Sequence, residues 1–188
     1  SAEARSRVHL GLPGVQQQLL EAVYEVNPNI VLVLMNGRPL DLSWMDERLP
    51  AIVETWFLGS QSGHAIADVL TGAYNPSGKL PACFPRSVGQ LPLYYSQKNT
   101  GRPGDEDHPH IFWSGYIDER TDALYPFGYG LSYTDFTISD LSLSTSTLTP
   151  GEVLTVSLTL TNTGGRAGHE VVQLYTRDHT GSRTRPVR

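Results

Sequence analysis

The sequence predicts an α/β fold in two parts: an open, mostly parallel α/β sandwich over residues 1–90, then, after a long irregular stretch, the opening half of an antiparallel β-sandwich. Three observations predict it. Helical and strand periodicities alternate over the first 90 residues, regular signal is lost over 91–135, and the apolar period becomes two beyond Phe136.

Leu12-Pro13-Gly14 leads into a helix over Val15 to Asn27, where Val15, Leu19, Leu20, Val23 and Val26 recur at the three-and-four spacing of one helical face. Asn27-Pro28-Asn29 ends it, because a proline disfavours helical backbone at the residue before it. Ile30 to Met35 is a short continuous apolar run, the pattern of a strand covered on both faces, and Asn36-Gly37-Arg38-Pro39 stops it. Ala51 to Phe57 gives a second strand. Gly63 to Leu70 reads as a helix closing at Gly72. Leu80 to Phe84, boxed by Pro81 and Pro85, is a weaker signal and reads as an edge strand or extended segment.

Residues 91–135 are far longer than an ordinary connection, and they carry Gly, Pro, His, Asp and aromatic side chains. The stretch is therefore expected to link the two parts and to cover a surface. Beyond Phe136, Leu154, Val156, Leu158 and Leu160 alternate with Thr155, Ser157, Thr159 and Thr161, placing apolar side chains on one strand face and hydroxyls on the other. Leu141 and Leu143 alternate with serines in the same way, and Val172 and Leu174 are expected to begin a third strand. Thr149-Pro150-Gly151 and Asn162-Thr163-Gly164-Gly165 supply the turns. A full sandwich of this kind takes about 100 residues. The sequence begins at Ser1 rather than Met and stops within the sandwich, so it is expected to be a piece of a longer chain.

Composition narrows the functional classes. The 188 residues carry 14 Lys+Arg and 19 Asp+Glu, a formal net charge of −5, and the only lysines are Lys79 and Lys98. No basic stripe is available to neutralise phosphates or grip an anionic membrane, so neither a nucleic acid nor a membrane is an expected partner. The apolar run Ile30–Met35 is far short of the ~20 residues that cross a bilayer. The single cysteine, Cys83, lies in the apolar stretch Leu80–Phe84 and is expected to be a small buried hydrophobe.

Most chemical motifs dissolve on inspection. Gly59-Ser60-Gln61-Ser62-Gly63 sits between strand and helix, where a hydrolase nucleophile elbow would, but Gln61 stands at the position that requires serine. Gly128-Tyr129-Gly130 lacks the third glycine of a dinucleotide loop and precedes strands. His108-Pro109-His110 has no third spaced ligand and reads as a solvated loop. His64, opening a helix, reads as a cap or packing residue. The aromatic group Phe112, Trp113, Tyr116, Tyr125, Phe127, Tyr129 and Tyr133 has two readings, as sugar-stacking faces or as packing between parts of the fold. Glu3, an acid flanked by Arg5 and Arg7 before a Gly/Pro-rich helix entry, carries no signal by itself.

Four segments taken together carry more: Val31-Leu32-Val33-Leu34-Met35-Asn36-Gly37-Arg38-Pro39, Ala65-Ile66-Ala67-Asp68-Val69-Leu70-Thr71-Gly72, Asn75-Pro76-Ser77-Gly78-Lys79-Leu80-Pro81 and Leu124-Tyr125-Pro126-Phe127-Gly128-Tyr129-Gly130-Leu131-Ser132-Tyr133. In this order they resemble the C-terminal part of glycoside hydrolase family 3. The resemblance implies an enzyme of three domains: a barrel carrying a nucleophilic aspartate, an α/β sandwich lending the general acid/base, and a fibronectin type III-like β-sandwich. Residues 1–90 would be the later part of the second, 91–135 a linker, and 136–188 a truncated beginning of the third.

The implied activity is removal of terminal, non-reducing β-D-glucosyl residues with retention, acting on a β-linked oligosaccharide or glucoside and using no metal or organic cofactor. A β-xylosidase of the same family is the nearest enzymatic rival, and a noncatalytic carbohydrate-binding or scaffold module is the rival of another class. Periplasmic or secreted location is expected by the same resemblance. Family members place the acid/base on a loop of the form Glu, a few small or polar residues, then Arg. Ala2-Glu3-Ala4-Arg5-Ser6-Arg7 has that form, so the resemblance makes Glu3 the candidate catalytic residue and Arg7 its neighbour. Without the barrel of the same chain, the 188 residues alone are expected to be inactive. Two departures stand out: Gln61-Ser62-Gly63-His64 stands where relatives often carry an acidic residue, two glycines and asparagine, and Ser114-Gly115-Tyr116 stands where many carry an arginine before the tyrosine.

Overall fold

The alternation of helical and strand signals yields, in chain order, α1 (Gln16–Val26), β1 (Val31–Leu34), α2 (Ser43–Arg48), β2 (Ala51–Glu54), α3 (Ser62–Thr71), β3 (Phe136–Leu143) and β4 (Val156–Asn162), with 3₁₀ turns at Gly59–Gln61 and Val88–Gln90. The computed structural model describes residues 4–98, 100–104, 107, 110–177, 179–181 and 183. The chain divides into two compact units, the first comprising 1–66, 79–129 and 173–188 and the second 67–78 and 130–172.

In the first unit, β1 and β2 pair in parallel, with Val31 opposite Ala51 and Leu34 opposite Glu54. The crossover between them contains α2, a helix that the apolar periodicity does not announce, since Ser43–Arg48 is a single short turn and a half. The core gathers Leu20, Leu34, Leu40, Leu42, Met45, Leu49 and Phe84. Complete burial of aliphatic and aromatic side chains of this size stabilises by roughly 1.5–3 kcal/mol each. Cys83 is buried as expected. Only one of the five apolar side chains of the α1 stripe is: Leu20 faces the core, while Val15, Leu19, Val23 and Val26 are exposed. The inner face of α1 is set by Leu20 with the half-buried Tyr24, whose ring meets Trp44 edge-on at 5.6 Å.

The second strand, expected over Ala51 to Phe57, ends three residues earlier, at Glu54. Trp56 adopts φ +50, a left-handed conformation incompatible with continuing a strand. The edge-strand candidate Leu80–Phe84 forms an isolated antiparallel bridge to Tyr125 rather than a ladder. Leu80 N–H donates to the Tyr129 carbonyl, Gly128 N–H to that of Leu80, and Phe84 N–H to that of Tyr125, each at 2.8 Å. Pro81, Pro85 and Pro126 have no N–H to extend the pattern.

In the second unit, β3 and β4 pair antiparallel, Phe136 opposite Asn162 and Leu143 opposite Val156, with a register shift between Ser139 and Ser142 where Asp140 takes φ +54. Such a bulge bends the strand and interrupts the strict inward–outward alternation. The architecture shown is thus mixed α/β, with one small parallel and one small antiparallel sheet. No third strand forms at Val172 and Leu174 among the described residues, because a strand exists only where a neighbour takes up its N–H and C=O groups. Asn75 ties this unit together. Its Oδ1 accepts from Ser132 Oγ at 2.9 Å and from Tyr133 N–H at 2.7 Å, and its Nδ2 donates to the Ala167 carbonyl at 3.0 Å. The Tyr133 hydroxyl donates to the Val69 carbonyl at 2.9 Å, and the Arg166 guanidinium lies over the Tyr133 ring, 5.6 Å from its centre. The residues 67–71 of α3 end at Gly72, whose φ of +76 suits the residue without a Cβ.

Candidate functional site

The candidate site lies at the carboxyl ends of β1 and β2, the side of a parallel sheet on which open α/β folds place ligands and reacting groups. Thr55, buried, closes this edge: its N–H and Oγ1 both donate to the Leu34 carbonyl, at 3.0 and 2.7 Å. Beyond β1 the chain turns through Asn36-Gly37-Arg38-Pro39, and Asn36 Nδ2 donates to the Arg38 carbonyl at 2.7 Å.

Across this turn runs the N-terminal segment. Arg38 Nη1 donates to Ser6 Oγ at 3.1 Å and Nη2 to the His9 carbonyl at 2.9 Å. Asp41 N–H donates to the Leu10 carbonyl at 3.1 Å, and Leu10 is itself buried. Arg7 Nη1 donates to the Gly11 carbonyl at 3.3 Å, within the same segment. Ala4, immediately after the candidate acid, has φ +54. Glu3 itself lies outside the described residues.

One carboxyl at this edge went unnoticed in the sequence. Glu54 ends β2, with Trp56 N–H donating to its Oε1 at 2.9 Å. Burial raises its pKa above the ordinary value, against hydrogen bonds from Trp56, the Asn36 side chain and Thr55 that favour the ionised form. Among the described residues, Glu54 Oε2 and Asn36 Oδ1 are buried with no hydrogen-bond partner. The available signal was an acid closing the apolar run Ala51-Ile52-Val53. Trp56, in turn, packs on Phe84 with 5.9 Å between ring centres.

The other candidate residues do not gather here. His64 is exposed in the first turn of α3, and His108 and Pro109 lie outside the described residues. The aromatic group disperses into separate contacts: Tyr125 stacks on Tyr129 at 5.1 Å, Phe127 on Tyr95 at 4.3 Å, Phe112 and Trp113 sit beside His110, and Tyr133 takes Arg166.

Residues 1–133 match the Glycosyl hydrolase family 3 C-terminal domain. The chain belongs to glycosyl hydrolase family 3. Among family members, it is 53% identical over 186 residues to the periplasmic beta-glucosidase of Salmonella typhimurium, covering 99% of this chain and 24% of that protein. It is 40% identical over 183 residues to the beta-xylosidase of Formosa agariphila, covering 96% of this chain and 24% of that protein. The structure of the beta-glucosidase from Listeria innocua in complex with isofagomine superposes with a TM-score of 0.92 at 42% identity, covering 99% of this chain and 26% of that one. A mutant of the same Listeria enzyme, in complex with laminaribiose, superposes equally well, with a TM-score of 0.92. The family 3 chain thus spans about a quarter of the length of the relatives it matches.

Proposed function

We propose that this family 3 chain is the later part of a retaining, exo-acting β-glucosidase that removes terminal non-reducing β-D-glucosyl residues, with Glu3 as its general acid/base and Arg7 beside it. The observation that carries the reading is the 53% identity over nearly the whole chain to a periplasmic beta-glucosidase. That name also supports a periplasmic or secreted location. In the full polypeptide, residues 1–90 complete an α/β sandwich, 91–135 form the linker, and 136–188 begin a fibronectin type III-like sandwich, while the nucleophile resides in a barrel earlier in the same chain. The exposed stripe Val15, Leu19, Val23 and Val26 favours further chain packed against α1, since such a row in water is costly.

A retaining glycosidase holds two carboxyl groups roughly 5–5.5 Å apart. In the first step the nucleophile's carboxylate bonds to the anomeric carbon as the glycosidic C–O bond breaks, and Glu3 gives its proton to the departing oxygen. In the second, the ionised Glu3 takes a proton from water as the water oxygen displaces the enzyme carboxylate, releasing glucose and restoring both groups. The β-xylosidase relative, at 40% identity, supports a second reading in which the terminal sugar is xylose.

The test is Glu3→Ala in the full-length enzyme. The kcat/KM for a β-linked glucose disaccharide should collapse, that for 2,4-dinitrophenyl β-glucoside should change little because its leaving group needs no proton, and azide should raise kcat with formation of β-glucosyl azide. An unchanged disaccharide rate removes Glu3 from the mechanism. Parallel assays of aryl β-glucoside and aryl β-xyloside decide between the sugars.

A further inference from the structure

The Arg38 guanidinium reaches two points of one segment, Ser6 Oγ at 3.1 Å and the His9 carbonyl at 2.9 Å. These points lie three and six residues beyond Glu3 in the chain. The guanidinium is a planar fork with fixed donor directions, so two simultaneous bonds define the orientation of what it holds, unlike a single ammonium contact. Arg38 is itself held. Its carbonyl accepts from Asn36 Nδ2 at 2.7 Å, Pro39 follows it, and β1 just before it is closed by the paired bonds from Thr55 to the Leu34 carbonyl. Rigidity therefore passes from the sheet edge through Arg38 into residues 6–9.

The stretch between Ser6 and Glu3 is short, and within it the Arg5 backbone takes part in a β-bridge. Arg5 is exposed, and Ala4 turns at φ +54 immediately after Glu3.

We infer that Arg38 is a positioning residue for proton transfer, holding Ser6 and His9 so that the segment bearing Glu3 presents its carboxyl to the glycosidic oxygen. The inference rests on the reading of Glu3 as the acid/base. Acting through the segment it grips, Arg38 supports the step that needs a placed proton, so its loss weakens that step and spares the one that does not. Misplacement of a reacting group by about 1 Å costs on the order of 100-fold in rate.

The test uses the full-length enzyme with Arg38→Ala, Arg38→Lys and Ser6→Ala, each compared with Glu3→Ala. Arg38→Ala should lower kcat/KM for the disaccharide about 10- to 100-fold, with little change for 2,4-dinitrophenyl β-glucoside. Arg38→Lys, which can replace one bond, should fall between wild type and Arg38→Ala. Ser6→Ala, which leaves the arginine in place, should show a smaller selective loss and decides the matter if Arg38→Ala does not fold. Equal losses on both substrates would mark Arg38 as merely structural and overturn the inference, as would no loss on either. If Glu3→Ala spares the disaccharide, the acid/base reading fails first and the role of Arg38 fails with it, whereas a Glu3 collapse without a selective Arg38 effect overturns only the latter.

Discussion

The Tyr125 hydroxyl donates to Asp46 Oδ1 at 2.6 Å, joining residues 79 positions apart. One partner lies in α2 and the other in the segment that bridges to Phe84, so the bond fixes the returning chain against the helix whose Met45 is buried in the core. Burial and the Asp46 carboxylate both push the Tyr125 phenol well above its ordinary pKa, because each penalises a phenolate. Tyr125→Phe keeps the ring contacts with Phe84 and Tyr129 and removes only the bond. We expect a loss of about 1–2 kcal/mol in a urea melt of the full-length protein; unchanged stability would show that the bond contributes nothing net.

Asn75 makes three hydrogen bonds, two as acceptor and one as donor. Asn75→Asp keeps the acceptors for Ser132 and Tyr133 but faces the Ala167 carbonyl with a carboxylate oxygen. Asn75→Ala loses all three. The alanine variant should lose roughly 1–3 kcal/mol, measured by chemical denaturation, and neither variant should alter substrate selectivity.

Gly128 has φ +81, and a Cβ there would run into the Gln173 side chain, whose Nε2 donates to the Gly128 carbonyl at 2.9 Å. Gly128→Ala therefore meets backbone strain and must displace the Gln173 amide. A loss of at least about 1–2 kcal/mol is expected from the left-handed backbone alone, visible as a lowered melting temperature.

Glu54 supplies a pH dependence with a defined sign. Its folded pKa is raised above the ordinary 4.5 by burial, so the native state holds the proton more tightly than the unfolded chain does. Its contribution to stability is fully present below 4.5 and is lost as pH rises through the folded pKa. Glu54→Gln should flatten this decline and leave the protein at least as stable at neutral pH, as read from melting temperatures across an acid-to-neutral series. A steeper decline in the variant would contradict the assignment.

Several features were legible in sequence because they are written within a few residues. The α1 and α3 helices follow from short-range apolar spacing, Asn27-Pro28 and Gly72 terminate them, and Ile30–Met35 announces β1. The four segments that mark the family were legible for the same reason. Others were not. The helix α2 is too short to show a period, and β2 stops at Glu54, two residues before Trp56 turns the backbone at φ +50 in a way no side-chain pattern encodes.

By itself the sequence determined the order and type of most elements, the change from α/β to β periodicity near residue 136, and membership of the family through which Glu3 became a candidate. Tertiary structure alone decided which face of α1 is buried, that Glu54 carries an unsatisfied oxygen in the interior, and that Arg38 grips Ser6 and His9, 32 and 29 positions away. The reason is physical. Helix and strand formation reward contacts within one or two turns of chain, whereas burial and the partner of a guanidinium depend on which distant segments the folded core brings together.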